Sequence, residues 1–247
     1  MINTSRLLPT VVKNLMIING LFFLASLTFP KTFSIDLFEF LGLYSIGSEN
    51  FKPFQFFTHL FMHSNTNFGH IFSNMFMLWM FGSVLENVWG PKKFLTYYLI
   101  TGLGAGFLHL MVNQYQIISL QGQIDTETLN AIVREGRDIL FRGQNYSDPV
   151  LGQLNLLYNI PTVGASGAVF GVLLAFGMLF PNTNLYLMFL PIPIKAKYFV
   201  MAYGAFELYA GFENSPGDNV AHFAHLGGML FGYVLIKYWD RNQFRQF

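Results

Sequence analysis

Long apolar stretches alternate along the chain with shorter polar ones. Six of them approach the roughly 20 residues that a helix needs to cross the hydrocarbon layer of a bilayer. They lie near residues 11–29, 70–88, 94–112, 162–180, 198–212 and 220–239, the fifth being short. Backbone groups in lipid must be paired within a helix or a closed barrel, and the period-two alternation of barrel strands is missing. The pattern predicts an all-α, polytopic bundle of six transmembrane helices, forming a single membrane domain over residues 1–247.

Two connections are too long to be simple turns. Residues 30–69 are rich in Phe and Leu, which predicts a first external loop that is embedded in the outer leaflet. Residues 113–160 are polar and form an external insertion. Apolar residues recur at helical spacing in its middle, after an acidic turn, and predict an external amphipathic helix. These residues are Leu129, Ile132, Val133 and Leu140.

Composition agrees with a membrane protein. Hydrophobic residues make up 53% of the chain, charged residues 11%, and the mean hydropathy is +0.41. The formal net charge of +1 gives no reason to expect a nucleic-acid partner. The chain has no cysteine, which excludes disulfides and thiolate metal sites.

The distribution of cations predicts the orientation. With the N-terminus inside, most of the 14 Lys and Arg residues fall on the cytoplasmic side, and the C-terminus is cytoplasmic too. The cytoplasmic cations are then Arg6, Lys13, Lys92, Lys93, Lys195, Lys197, Lys237, Arg241 and Arg245.

Ser166 stands at the head of the fourth stretch, framed by Gly164 and Gly167. This position lies just below the outer face, where unpaired N–H groups and the positive end of a helix favour developing negative charge. Small residues at this spacing also allow tight helix packing, so the motif alone leaves that alternative open.

His225 in the sixth stretch is a possible base for this serine. Gly228 and Gly232 follow His225, as Gly167 and Gly171 follow Ser166. Two such faces can approach closely, which would bring the imidazole to the hydroxyl at matching depth. His222 lies three residues earlier, nearer the aqueous rim, so we expect His225 to be the base.

His70 and Asn74 lie one helical turn apart at the start of the second stretch. An amide and a nearby imidazole can donate hydrogen bonds to the oxyanion of an acyl-transfer intermediate, together with the Ser166 amide. A purely structural role for Asn74, tying helices together, is the alternative.

Together these motifs resemble the rhomboid family of intramembrane serine proteases. The match comprises His70-x-x-x-Asn74, Gly164-x-Ser166-Gly167 and Ala224-His225-x-x-Gly228-x-x-x-Gly232, in that order, and extends to the loop "PNTNLYLMFLPIPIKAKYF". The resemblance implies a six-helix core in which Ser166 and His225 cleave transmembrane segments of other proteins. It also implies that His59 and His63 organise the first external loop.

Two positions depart from the family pattern. Many members have Trp-Arg in the first external loop where this chain has Phe54-Gln55, so the arginine that anchors the loop is absent. Phe170, four residues after Ser166, takes the place of an aromatic residue, often Tyr, that stacks on the catalytic histidine.

A metal site is the main alternative to the serine–histidine interpretation of these histidines. His59 and His63, and His222 and His225, have spacings that could hold a divalent ion. No HExxH motif exists and no carboxylate adjoins the His70 or His225 motifs, so we expect neither a metal nor another cofactor. Glu207 is interpreted as a helix-bonded or cavity-facing carboxylate, with a role in gating as the alternative, and His109 as a hydrogen-bonded packing residue.

The sequence therefore predicts a serine endopeptidase that works without a third acid. Its partners would be single-span or multi-span membrane proteins within the lipid bilayer, and its site would open to the external side, below the polar residues 215–219. A catalytically inactive relative that binds membrane helices and a histidine-based metal transporter remain the alternatives.

Overall fold

A computed structural model describes residues 6–186, 192–213 and 221–243, and it is predominantly α-helical, as predicted. The polar residues 215–219 and part of the loop at 181–199 lie outside the described residues, as does Arg245. The described ends of that loop form two short antiparallel strands, β1 (Asn184–Leu185) and β2 (Ile194–Lys195).

Three long helices occupy the first half of the chain. The first is α1 (Thr10–Phe33). The second runs unbroken from 68 to 89 and consists of α4 (Phe68–Met77), a π-helical turn (Leu78–Gly82) and α5 (Ser83–Trp89). The third is α6 (Pro91–Gln121). Within the described residues, these three helices are long and apolar enough to cross a membrane.

Three more helices match the remaining predicted stretches. They are α9 (Ser166–Leu179), α10 (Ala196–Glu213) and α11 (His222–Gln243). Helix α9 begins four residues later than the predicted 162–180, because Gly164 has a φ of 133°, which a right-handed helix cannot accommodate. Ser166 is the first residue of α9, in agreement with its predicted place at the head of this stretch.

A buried carboxylate caps the start of α1, and a glycine followed by a proline separates α5 from α6. The Glu86 carboxylate accepts hydrogen bonds from the Val11 and Val12 amides at 2.9 and 2.8 Å, and so satisfies the first N–H groups of α1. Gly90 with a φ of 79° and Pro91 at the first helical position separate α5 from α6.

Helices α6, α9 and α11 pack around small residues. A Cβ added to Gly228 would lie 1.8 Å from the Gly167 carbonyl oxygen, so α9 and α11 touch backbone to backbone there. The second pair of glycines, Gly171 and Gly232, has α6 as its nearest neighbour. Tyr97 of α6 lies at both glycines, its hydroxyl donating to the Gly171 carbonyl at 2.8 Å and standing 2.3 Å from a Cβ built on Gly232. A third helix therefore fills the lower half of this interface.

The insertion contains two helices. Helix α6 runs nine residues past the predicted end at 112 and, at about 46 Å, is longer than the hydrocarbon layer is thick. The predicted amphipathic helix is present as α7 (Thr126–Phe141), and α8 (Pro149–Asn159) packs beside it. Buried side chains from α6, α7 and α8 form a second hydrophobic cluster. They are Ile117, Ile132, Leu154 and Tyr158.

The first external loop holds two short helices, α2 (Leu37–Leu41) and α3 (Gln55–Thr58), and a 3₁₀ turn (His59–Phe61). Gln55 is 1% exposed and lies at its centre. Its amide oxygen accepts from the Lys52 amide at 3.0 Å and its nitrogen donates to the Asn50 carbonyl at 3.0 Å. This side chain anchors the loop at the position where the family's arginine is absent.

Side chains of the insertion and of this loop also contact each other. Arg137 of α7 forms an ion pair with Glu39 of α2. The Ser45 hydroxyl donates to the Leu157 carbonyl of α8 at 2.7 Å. The insertion and the loop are therefore connected to each other by side-chain contacts.

Candidate active site

The segment before Ser166 is held by the first external loop. Leu43 and Thr162 exchange two backbone hydrogen bonds of 2.9 and 2.8 Å, and the Gly164 amide donates to the His59 carbonyl at 2.9 Å. Gly164 then turns the chain with its positive φ, and α9 starts at Ser166. The first N–H groups of a helix have no partner within it, so they are available at this point.

Ser166 and His225 lie within hydrogen-bonding distance. The Ser166 Oγ is 2.9 Å from the His225 Nε2, although the two residues are 59 positions apart in the chain. The Gly167 to Gly228 contact sets this distance, because each glycine lies within three residues of its catalytic candidate. The Phe170 ring is parallel to the His225 ring within 7°, with centroids 4.1 Å apart, so it fixes the plane of the imidazole.

A carboxylate adjoins His225, contrary to the sequence-based expectation. Glu207 of α10 places its Oε2 2.8 Å from the His225 Nδ1 and 2.6 Å from the His222 Nδ1. All three side chains are buried. The one signal in the sequence was a lone carboxylate inside an apolar stretch, and nothing there indicated that the fifth and sixth helices bring it to the histidines.

His70 faces the same region from α4. The Ser64 amide donates to the His70 Nδ1 at 3.3 Å, so the neutral ring carries its proton on Nε2. A Cβ built on Gly164 would be 3.0 Å from that Nε2 and 3.4 Å from the Ser166 Oγ. The imidazole N–H and the hydroxyl thus flank the same small space.

Asn74 is buried one turn further along α4. Its Nδ2 donates to the His70 carbonyl at 2.8 Å, which uses one of its two hydrogens. This bond ties the two residues together and leaves one amide hydrogen for a ligand.

Three other histidines lie around the site without reaching Ser166 through any described hydrogen bond. The His59 Nδ1 lies 2.8 Å from the Gln55 carbonyl, and the His109 Nε2 lies 2.6 Å from the Thr162 hydroxyl. Burial lowers the pKa of His59 to about 4 and that of His63 to about 3, so both rings are neutral at physiological pH.

Glu207, His222 and His225 could also hold a metal ion. One ligand atom from each lies within 4.8 Å of the others. One of the sequence-based arguments against zinc was the lack of a nearby carboxylate, and Glu207 removes that argument. Two protons shared with one carboxylate oxygen explain the distances of 2.6 and 2.8 Å without an ion.

Comparison with known proteins identifies the family. The family model described as the rhomboid domain matches residues 50–240. RHOMBOID-like protein 12, mitochondrial, of Arabidopsis thaliana is 30% identical over 239 residues, covering 95% of this chain and 60% of the relative. Rhomboid protein 1, mitochondrial, of Saccharomyces cerevisiae is 25% identical over 187 residues, covering 74% of this chain and 42% of the relative.

A human protein, presenilin-associated rhomboid-like protein, mitochondrial, is 27% identical over 176 residues, which are 68% of this chain and 34% of the relative. The chain therefore spans less than two thirds of the length of each of these three relatives, from 34% to 60%. The family model covers more than half of the chain, and the chain belongs to the rhomboid family of integral membrane proteins.

Proposed function

We propose that this protein is an intramembrane serine endopeptidase with Ser166 as nucleophile and His225 as general base. The observation that carries the proposal is the 2.9 Å separation of the Ser166 Oγ and the His225 Nε2 on two helices in backbone contact. This is the geometry in which an imidazole accepts the hydroxyl proton during attack on a carbonyl.

The reaction has two halves. In acylation, the Ser166 oxygen bonds to the scissile carbonyl carbon while its proton moves to the His225 Nε2. His225 returns that proton to the leaving amine as the C–N bond breaks. In deacylation, His225 takes a proton from water, the hydroxide displaces the serine oxygen, and the proton returns to Ser166.

The oxyanion needs donors on the side opposite the base. The Ser166 amide is among the first N–H groups of α9, and the His70 Nε2 lies beside Gly164 and close to the Ser166 Oγ. Asn74 keeps one free amide hydrogen one turn away. These three groups are the proposed oxyanion donors.

The proposed substrates are single-span or multi-span membrane proteins, met laterally in the lipid bilayer. A peptide bond inside a helix is already hydrogen-bonded, so a substrate must unwind locally before Ser166 can reach its carbonyl. Helix-destabilising residues near the outer end of the substrate span should therefore favour cleavage. The proposed topology has both termini in the cytoplasm, the site open to the outside and six membrane-crossing helices.

The decisive experiment uses purified protein with a panel of single-span substrates in detergent and in liposomes. Ser166→Ala and His225→Ala should each lose nearly all turnover, and the double variant should lose little more, because the two residues act as one unit. Substantial cleavage by Ser166→Ala would end the assignment. A serine-reactive fluorophosphonate should label the wild type and not Ser166→Ala.

The same preparation separates the two alternatives. An inactive helix-binding relative would capture substrates without cleavage and without fluorophosphonate labelling. A histidine-based metal transporter would bind zinc in a chelator-sensitive way and cleave no substrate, since Glu207, His222 and His225 could supply the ligands. We expect chelation to leave cleavage unchanged.

A further inference from the structure

Glu207 is an unusual residue for its place in the molecule. It lies in the middle of α10, with 2% of its surface exposed. A carboxylate removed from water is costly unless hydrogen-bond donors surround it. Its two described partners are the imidazoles of His222 and His225, both on α11.

We propose that Glu207 is a positioning residue for the general base, so that Ser166, His225 and Glu207 act as a triad. This inference rests on the proposed function. An ionised carboxylate only accepts hydrogen bonds, so the 2.8 Å contact assigns the proton of the neutral His225 ring to Nδ1. The Nε2 lone pair is then free for the Ser166 proton at 2.9 Å.

The carboxylate also compensates the charge that forms during the reaction. When His225 accepts the serine proton, an imidazolium appears at a buried position within an apolar helix bundle. A negative oxygen 2.8 Å from Nδ1 stabilises this cation where water cannot. Glu207 thereby promotes the step in which the serine oxygen gains its negative charge, although it touches neither substrate nor serine.

His222 completes the arrangement from the other side. Its Nδ1 lies 2.6 Å from the same Oε2 that meets His225. One carboxylate oxygen can accept two hydrogen bonds, and two donors on one helix fix the side chain of Glu207 between α10 and α11. His222 therefore supports the acid and does not replace the base.

The chain offers a matched control in Glu86. This carboxylate is also buried, at 4% exposure, but its partners are the Val11 and Val12 amides at the start of α1. Glu86→Gln removes the same charge from a comparably buried site without touching His225. It should lower stability and leave the turnover of the folded enzyme within about twofold.

Glu207→Gln should lower kcat by about 10²-fold or more and leave KM within about threefold, because an amide can present either a donor or an acceptor to Nδ1. His222→Gln should be milder, since the carboxylate remains. Each variant is measured on folded protein, quantified by size-exclusion chromatography. A Glu207→Gln enzyme with wild-type kcat, or one whose KM alone changes, would overturn the proposal.

A spectroscopic measurement keeps the inference testable when activity is lost for another reason. Nitrogen NMR of the histidine-labelled wild type should report His225 as the tautomer protonated on Nδ1, assigned by its loss in His225→Ala. Glu207→Asp should retain that tautomer and Glu207→Gln should not. If the wild type fails to cleave any substrate, the proposed function fails, whereas the tautomer still decides the role of Glu207. A ring protonated on Nε2 in the wild type would refute it.

Discussion

Gln55 illustrates how much a single buried side chain can organise in this molecule. Its amide meets four backbone groups, in a loop that has little regular structure of its own. Besides the bonds to Lys52 and Asn50, it accepts from the Tyr44 amide at 3.4 Å and donates to the Phe40 carbonyl at 3.3 Å. Two of these four bonds need an acceptor, which glutamine supplies and arginine, a donor alone, does not.

Replacing Gln55 should therefore loosen the first external loop. Gln55→Ala leaves buried backbone groups unpaired, and we expect the free energy of unfolding to fall by roughly 2–4 kcal/mol. The midpoint of thermal unfolding in detergent measures this loss. Gln123→Ala, at an exposed position, is the control and should change the midpoint little. Equal effects of the two substitutions would refute the anchoring role.

The neutral His59 makes stability depend on pH. The pKa of His59 is about 4 in the folded protein and about 6.5 when unfolded, so the unfolded chain binds more protons between these values. Above pH 6.5 the contribution of His59 to the free energy of unfolding is fully present. It is lost as the pH drops toward 4, and the loss amounts to roughly 3 kcal/mol for one such imidazole. We expect His59→Gln to flatten the fall of the unfolding midpoint between pH 6.5 and 5, a range in which most carboxylates remain ionised. An unchanged slope would contradict this.

At the residue scale the sequence identified the candidate catalytic side chains but not all of their contacts. Ser166, His225, His70 and Asn74 could be selected because polar groups in apolar stretches require a reason. Glu207 was noticed for the same reason, yet its partners depend on how α10 and α11 face each other. Rotation of one helix about its axis is set by packing, which no local pattern encodes.

The elements themselves were easier to predict than their ends. The apolar stretches located every long helix because lipid imposes the length and the internal pairing. The apolar stretch begins at 162 but α9 begins at Ser166, because Gly164 takes a turn conformation held by hydrogen bonds to Leu43 and His59 of a distant loop. The position of Tyr97 beside Gly171 and Gly232 could not be predicted, because it depends on how α6 packs against α9 and α11.

Glycine substitutions test the helix contacts directly. Gly228→Ala would place a methyl group 1.8 Å from the Gly167 carbonyl oxygen, and a backbone atom cannot move aside alone. We expect the free energy of unfolding to fall by about 1–3 kcal/mol or more, which lowers the unfolding midpoint, and we expect cleavage to be lost. Gly20→Ala in α1 is the matched control, because no atom lies within 4 Å of its added Cβ. It should keep the midpoint or raise it.

At the scale of the whole molecule, the described residues form two hydrophobic clusters, one within the helix bundle and one in the insertion. The second cluster shares only α6 with the first, so its loss need not unfold the bundle. Ile132→Ala, at a fully buried position of α7, should cost the insertion about 2–5 kcal/mol. Limited proteolysis should then cleave between 122 and 160 while the bundle persists.

Phe141→Ala is the control for the insertion, because 82% of that side chain is exposed. It should leave the protease-resistance of the insertion unchanged. Simultaneous unfolding of bundle and insertion in Ile132→Ala would show that the two clusters form one cooperative unit. The sequence predicted the amphipathic helix in the insertion but not α8, whose apolar face becomes apparent only beside α7.

The contact between Gly167 and Gly228 also determines how far a tilt of the two helices displaces the catalytic pair. Ser166 and His225 lie one and three residues from the point where the two helices touch, so this point acts as their pivot. A relative tilt of about 10° would displace the inner end of α9, ~18 Å away, by about 3 Å, but would move Ser166 by only a few tenths of an ångström. His225, three residues or about 4.5 Å from the contact, would move by about 0.8 Å under the same tilt, so the catalytic pair is displaced far less than the distal end of the helix.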